Sequence, residues 1–186
     1  PASIVIVLGI ANVLADGFSM AASNYSGIKA ELDDRRRIRA VEERHIRDVP
    51  EGEREELRQI LRLKGLGGTV LDAATAQIAA NREKWIGAMM TDEYGLSPAQ
   101  PHPVSAAIAT FVAFLLAGIV PLLPYILGGA NAFVWATGMT GVTFFAIGTA
   151  KSKWSLAPWW RSGFETLTIG GTAAAIAFGV GSLFHP

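Results

Sequence analysis

The chain has 186 residues, of which 51% are hydrophobic, and its 16 basic side chains balance 16 acidic ones. From His102 to Ala150 it contains no Asp, Glu, Lys or Arg. A soluble domain needs polar residues over its surface, so this pattern excludes one and predicts an integral membrane protein. The absence of cysteine excludes disulfides and thiolate metal sites. We expect no nucleic-acid partner.

Four apolar segments are long enough to cross a bilayer, which requires about 20 residues each. They run from about Ile4 to Tyr25, from Val104 to Leu127, from Asn131 to Ala150 and from Gly163 to Phe184. Gly128 and Gly129 occupy the short loop between the second and third segments, which predicts an antiparallel hairpin. Pro121 and Pro124 predict a kink or an early end of the second span. We therefore expect an all-α bundle of four membrane-spanning helices.

The Lys and Arg residues predict how the chain is oriented. Before residue 150 they all lie between Lys29 and Lys84, and the other three are Lys151, Lys153 and Arg161. The positive-inside rule therefore predicts that residues 27–103 and 151–162 are cytosolic. This gives a first span in residues 1–26, a cytosolic domain in residues 27–103 and three further spans in residues 104–186.

The cytosolic segment has the pattern of three helical stretches. Lys29 to Arg47 is dense in charge and should continue the first span as one long helix that ends at Val49-Pro50. A second helix is predicted from Glu51 to Leu63, and a third stretch from about Thr69 to Tyr94, broken near Asn81. This segment is poor in large apolar residues. We therefore expect it to depend on a second copy of the chain or on bound metal.

Three clusters of potential metal ligands lie at helical spacing in this segment. They are Glu42, Glu43 and His45; Glu53 and Glu56; and Met89, Met90 and Glu93. Carboxylates alone would suit Mg²⁺ or Ca²⁺, whereas added imidazole or thioether donors favour a transition metal such as Fe²⁺ or Mn²⁺. Two other readings stay open. Each cluster is also compatible with a solvated helix or a methionine core, and Glu42 to His45 is a single Glu-x-x-His step of the type that di-iron bundles use twice.

Polar residues inside the predicted spans form a second candidate site. Asn12, Asp16 and Met20 recur at i, i+4 and i+8 on the first span, and Glu165 lies near the start of the fourth. A charged group within a bilayer is costly unless it faces a cavity or a partner, so these residues predict an ion or proton path. Helix packing through hydrogen bonds is the alternative.

Four sequence blocks together resemble the vacuolar iron transporter family. They are Asp16 to Tyr25 (DGFSMAASNY), Val49 to Glu53 (VPEGE), Trp85 to Leu96 (WIGAMMTDEYGL) and Gly118 to Pro124 (GIVPLLP). Their order and spacing extend the resemblance over essentially the whole chain. It implies homodimers that exchange Fe²⁺, and often Mn²⁺, for protons across a vacuolar or bacterial inner membrane.

The resemblance also implies roles for individual residues. A cytosolic metal site would use Glu42, Glu53, Glu56, Met89, Met90 and Glu93, with Glu43 as a possible substitute, and Zn²⁺ could bind it in vitro. His45 stands where the family often has glutamate, so we expect weaker metal binding in acid as the imidazole protonates. Met20 matches a methionine of the family's translocation path. The family's first helix, with its essential aspartate, has no counterpart, so we expect the sequence to begin inside a longer protein.

The resemblance implies a proton-coupled transporter that moves Fe²⁺, and also Mn²⁺, out of the cytosol, and we expect that the protein is not an enzyme. Two alternatives remain at this point. A membrane-anchored di-iron ferroxidase-like protein would need a second Glu-x-x-His step. A membrane scaffold would use its charged helices for assembly alone.

Overall fold

The computed structural model describes residues 2–99 and 101–183. Phe184, the predicted end of the fourth span, lies outside the described residues. Backbone contacts divide the chain into two compact units. The span unit contains residues up to 21 and those from 108 onward, and the charged unit contains residues 22–107. Throughout the described residues the regular structure is helical, which confirms the predicted fold class.

The first helix, α1, runs without a break from Ala2 to Asp48. The prediction that the first span continues as one long helix is therefore confirmed. It ends where predicted, because a residue before proline is pushed out of the helical region. Val49 accordingly has φ −137° and ψ 55°, and Pro50 becomes the first residue of the next helix.

Three short helices complete the charged unit: α2 (Pro50–Leu63), α3 (Gly68–Ala79) and α4 (Arg82–Asp92). The chain leaves α2 at Gly65, whose φ of +94° favours glycine. The predicted break near Asn81 is confirmed, since its side chain caps α4 by accepting a hydrogen bond from the Lys84 amide at 3.0 Å. Helix α4 ends two residues before the predicted end at Tyr94.

A small apolar core holds the charged unit together. Its buried members are Ile46 of α1, Leu57 and Leu61 of α2, Leu71 of α3, and Trp85, Ile86, Met89 and Met90 of α4. Ion pairs join neighbouring helices around it, with Lys64 Nζ 2.6 Å from Asp92 Oδ2. Because such surface pairs contribute little, the shared apolar core is the main source of stability here.

Helix α5 (Pro103–Ile119) begins in the charged unit and continues into the span unit. The span unit also contains α6 (Leu123–Ile126), α7 (Ala132–Lys151) and α8 (Trp159–Leu183). A 3₁₀ turn at Val120–Leu122 separates α5 from α6, which confirms the interruption that Pro121 predicts. Helix α8 begins at Trp159, before the predicted start at Gly163. Pro158 precedes it, and interfacial tryptophans are compatible with a first helical turn.

Glycines allow the helices of the span unit to approach closely. A Cβ at Gly118 of α5 would lie 2.8 Å from Cγ2 of Val13, and one at Gly17 would lie 3.2 Å from Phe114. In α7, Gly148 faces the carbonyl of Ser162 and lies against Thr166 of α8. Small residues at such crossings are typical of membrane helices.

Four helical segments of the described residues are long and apolar enough to cross a membrane. In the most apolar stretch of each segment, at most 11% of the residues are buried by the rest of the chain. Such exposed apolar surface is unfavourable in water and normal in lipid, where backbone polar groups must be satisfied within helices. The protein is therefore an integral membrane protein.

Candidate metal centre

Glu42, His45 and Glu53 come together where α1 ends and α2 begins. One ligand atom from each residue lies within 4.8 Å of the other two. Nδ1 of His45 is 3.3 Å from Oε1 of Glu53 and 3.8 Å from Oε1 of Glu42. Two carboxylates and an imidazole at these separations can converge on one divalent ion. This mixed oxygen and nitrogen donor set suits first-row transition metals.

The corner between α1 and α2 creates this arrangement. His45 belongs to the last turn of α1, and Glu53 to the first turn of α2. The amide of Val49 donates to the carbonyl of His45 at 2.8 Å, and the amide of Glu53 donates to the carbonyl of Val49 at 3.3 Å. Pro50 fits the first helical position because its missing N–H would have no partner there. A local break in the chain therefore brings the ligands of two helices together.

Both carboxylates are buried and incompletely hydrogen-bonded. Glu42 is 1% exposed and Glu53 6%, and Oε2 of each has no hydrogen-bond partner. A buried polar atom without a partner is costly, and a bound cation would remove that cost. The side chain of His45 is about half exposed, so the site is open to solvent on that side. The residues present therefore fit a metal ion.

The charges around the centre raise the pKa values of its glutamates. Burial, followed by the charges of Glu42 and Glu56, raises the pKa of Glu53 to about 7. Burial and the same two glutamates also raise the pKa of Glu93. These interactions fall off with distance, so Glu56 and Glu93 belong to the same acidic neighbourhood. Among the predicted ligands, Glu42, His45 and Glu53 therefore lie together, and Glu56 and Glu93 lie near enough to change the pKa values there.

Tyr94 contacts the centre although the sequence analysis did not select it. Its hydroxyl donates a hydrogen bond to Oε1 of Glu42 at 2.9 Å. Burial and this hydrogen bond raise the pKa of the Tyr94 phenol, so it keeps its proton and acts as a donor. The sequence feature that could have identified Tyr94 is its position next to Glu93, which belongs to a predicted ligand cluster.

The remaining predicted ligands have other surroundings. Oε1 of Glu43 accepts a hydrogen bond from Nε of Arg39 at 2.9 Å. Met89 and Met90 are buried in the apolar core, on α4 just before Glu93. Their roles as metal ligands stay predictions.

The predicted path residues in the span unit lie on exposed surfaces. Asn12, Asp16 and Met20 are exposed on α1, whereas Gly17 between them is buried. Glu165 is exposed on α8. The polar stripe of α1 is thus left uncovered by the rest of its own unit. Its role in transport stays a prediction.

Comparison with known proteins supplies the family. The model of the VIT family matches residues 1–182. A protein named vacuolar iron transporter 1 from Arabidopsis thaliana is 34% identical over 179 residues, covering 95% of this chain and 72% of its own length. A protein of the same name from Oryza sativa subsp. japonica is 30% identical over 183 residues, which cover 97% of this chain and 73% of that protein. The vacuolar iron transporter of Toxoplasma gondii is 31% identical over 194 residues, which cover 97% of this chain and 64% of that protein. The resemblance in the sequence blocks is therefore confirmed, and the chain belongs to the VIT family.

Proposed function

We propose that this protein is a proton-coupled transporter that moves Fe²⁺, and also Mn²⁺, out of the cytosol. In this proposal the charged unit is cytosolic and captures the ions. The span unit carries them across the membrane as part of a homodimer. The metal ion is the cargo, and the protein has no enzymatic activity.

The observation that carries the proposal is the centre formed by Glu42, His45 and Glu53. One oxygen of each buried carboxyl and the imidazole lie close enough together to share a divalent ion, and the second oxygen of each carboxyl has no hydrogen-bond partner. The imidazole favours Fe²⁺ or Mn²⁺ over Mg²⁺, which prefers oxygen ligands alone. The relatives named as iron transporters support the choice of iron.

Exchange for protons is supported by the electrostatics of the centre. With its pKa near 7, Glu53 is partly protonated at neutral pH. An ion that binds its carboxylate must displace that proton, because metal ligands bind in their deprotonated form. Capture of each ion therefore releases protons on the side where the charged unit lies.

The exposed polar stripe of α1 supports a path at a dimer interface. The polar side chains of Asn12 and Asp16 are costly against lipid but stable against protein or water, and Met20 lies on the same face of the helix. A second copy of α1 would supply such a surface. A thioether at Met20 discriminates against Mg²⁺ and Ca²⁺, and Asp16 supplies charge. Glu165 is proposed as a further path residue near the start of α8.

Ion flux into liposomes tests this proposal. The full-length protein should carry Fe²⁺ into vesicles that contain a metal-quenched dye, and an imposed pH gradient should drive the flux. We expect Met20→Ala to reduce the flux and the selectivity against Mg²⁺, and Asp16→Asn to alter its pH dependence. Leu14→Ala is the matched control, because Leu14 is exposed on the same helix to a similar extent.

Other outcomes would contradict the proposal. Folded protein that carries no metal ion would be a scaffold. Consumption of O₂ in the presence of Fe²⁺ would identify a ferroxidase-like enzyme. If folded Met20→Ala and Asp16→Asn variants transported like the parent, the stripe would serve helix packing alone.

A further inference from the structure

The Lys and Arg residues of the span unit all lie around the short connector between α7 and α8. Lys151 ends α7, Lys153 lies in the 3₁₀ turn that follows, and Arg161 lies in the first turn of α8. The loop between α6 and α7, at the opposite end of α7, contains no charged residue. The basic charge of the span unit is therefore confined to one end of α7 and α8.

These three cations have no acidic partner within the part of the chain that the structure describes. All three side chains are exposed, and no ion pair or side-chain hydrogen bond joins any of them to another described residue. Glu165 follows Arg161 by four positions on α8, but the two side chains do not form an ion pair. The connector thus presents three positive charges that are free to meet an anion from outside the chain.

Large apolar side chains accompany the cations on this connector. Trp154, Leu156, Trp159 and Trp160 are all exposed, although the ring of Trp159 also packs edge-on against Phe145 of α7, with 6.2 Å between the ring centroids. Tryptophan is favoured at the headgroup level of a bilayer, because its ring is apolar and its N–H is polar. The connector joins two helices that can cross a membrane, so these residues belong at that level.

The connector keeps its shape without help from the three cations. The amide of Ser155 donates to the carbonyl of Ser152 at 3.1 Å, and the amide of Ala157 donates to Oγ of Ser155 at 3.2 Å. The amide of Arg161 donates to the carbonyl of Pro158 at 3.0 Å. These bonds use backbone and serine groups alone. The charged ends of the Lys and Arg side chains therefore remain available to a ligand.

We propose that the α7–α8 connector binds the headgroups of acidic phospholipids. Phosphate oxygens of such a lipid would accept charge-assisted hydrogen bonds from Lys151, Lys153 and Arg161. A zwitterionic lipid has a phosphate too, but its own cation cancels the charge, so the connector should prefer lipids with a net negative charge. Residues 151–162 are predicted to be cytosolic, and the cytosolic leaflet is the one that carries acidic lipids. Binding of this kind does not depend on metal capture by the charged unit.

Quenching of tryptophan fluorescence by brominated lipids tests this binding in the full-length protein. In bilayers that mix phosphatidylcholine and phosphatidylglycerol, with one of the two brominated at a time, quenching gives the relative affinity of the lipids beside the tryptophans. Trp135→Phe leaves the connector tryptophans as the exposed reporters, and the buried Trp85 adds a constant background. We expect a preference for phosphatidylglycerol of at least about fivefold, the factor that one cation contributes at a lipid surface.

Two triple variants separate charge from shape at the connector. Lys151→Gln, Lys153→Gln and Arg161→Gln together should abolish the preference, whereas Lys151→Arg, Lys153→Arg and Arg161→Lys together should retain it. Trp135 supplies an internal control, because it is exposed near the opposite end of α7. With the three connector tryptophans replaced by phenylalanine, Trp135 should report no preference between the two lipids.

Three results would overturn the proposal. They are equal affinities for the two lipids at the connector, a preference that the glutamine variant retains, and a preference of the same size at Trp135. The first is also the result expected if the connector meets an acidic protein instead of lipid.

Thermal unfolding in detergent provides a second measurement. A ligand that binds the folded state raises its melting temperature, so the parent should gain more from added phosphatidylglycerol than from phosphatidylcholine. The glutamine variant should gain equally from both, and its melting temperature without added lipid shows whether it is folded. Equal gains in the parent would contradict lipid binding at the connector. If inorganic phosphate alone reproduced the gain from phosphatidylglycerol, the connector would take a free anion, and the assignment to lipid would be wrong.

Discussion

Nδ1 of His45 lies 3.3 Å from Oε1 of Glu53, across the corner that Val49 and Pro50 form. This contact joins the last turn of one helix to the first turn of the next. Both residues are candidate ligands, so their separation sets the size of the space that an ion would occupy.

Removal of the buried carboxylates should weaken metal binding. We expect Glu42→Gln and Glu53→Gln each to lower Mn²⁺ affinity by at least about tenfold, because each removes a charged oxygen donor. Isothermal titration of the full-length protein in detergent measures this. Glu51→Gln is the matched control, since Glu51 lies in the same helical turn as Glu53 and is 80% exposed. Equal affinities in all three variants would place the metal elsewhere.

Metal affinity should depend on pH around neutrality. Because the pKa of Glu53 is about 7, protons compete with the ion below that pH, and affinity should decrease as pH falls from 8 to 6. Titrations in buffers of different ionisation enthalpy would count the protons released for each ion. Proton release that is unchanged by Glu53→Gln would contradict the assignment to this residue.

Stability of the metal-free protein should change with pH in the opposite direction. A carboxyl whose pKa is raised from 4.5 to about 7 binds more protons in the folded state than in the unfolded state between these values. The contribution of this group to the free energy of unfolding therefore falls as the pH rises through this interval. Thermal unfolding at several pH values, with a chelator present, should show the decrease. Glu53→Gln should make this decrease smaller. If the variant lost as much stability between these pH values as the parent does, the raised pKa of Glu53 would not be its cause.

Gly148 should be intolerant of a larger residue. A methyl group there would press on the Ser162 carbonyl and on Oγ1 of Thr166, so Gly148→Ala should destabilise the protein by about 1–3 kcal/mol. Gly138→Ala on the same helix is the control, because a Cβ there meets nothing within 4 Å. Thermal melting in detergent compares the two. Equal melting temperatures would mean that α7 and α8 do not cross as closely as described.

The polar stripe of α1 should face protein in the membrane. The chain has no natural cysteine, so single cysteines at Asn12, Asp16 and Met20 give crosslinks without background. We expect crosslinked dimers at these positions and none at Ile169, which is exposed on α8. Reaction of all three stripe positions with lipid-phase reagents alone would indicate that the stripe faces lipid.

Local sequence signals predicted the helix boundaries of the charged unit well. Pro50 fixes the corner after α1 because proline restricts the residue before it, and Asn81 marks the break before α4 because its side chain caps a helix. These effects act within a few residues, so a single sequence reveals them. Helix α8 begins earlier than predicted because Trp159 is equally suited to an interface and to a first helical turn.

The candidate site was only partly predictable. Helical spacing selected Glu42, His45 and Glu53 because ligands repeat at three- and four-residue intervals. The same reasoning could not find Tyr94, since its hydrogen bond to Glu42 spans 52 residues and depends on how α4 packs. Nor could it separate Glu42 from its neighbour Glu43, which pairs with Arg39. Burial and partner choice arise from tertiary packing.

The two unpartnered oxygens of Glu42 and Glu53 have a consequence for the lifetime of the protein in the cell. Ligand binding stabilises a folded state in proportion to the logarithm of free ligand concentration. An apo protein that holds an unpartnered oxygen in each of two buried carboxyl groups would therefore open more often and be a better substrate for proteases. Abundance of the transporter would then rise and fall with metal supply, without any change in its synthesis.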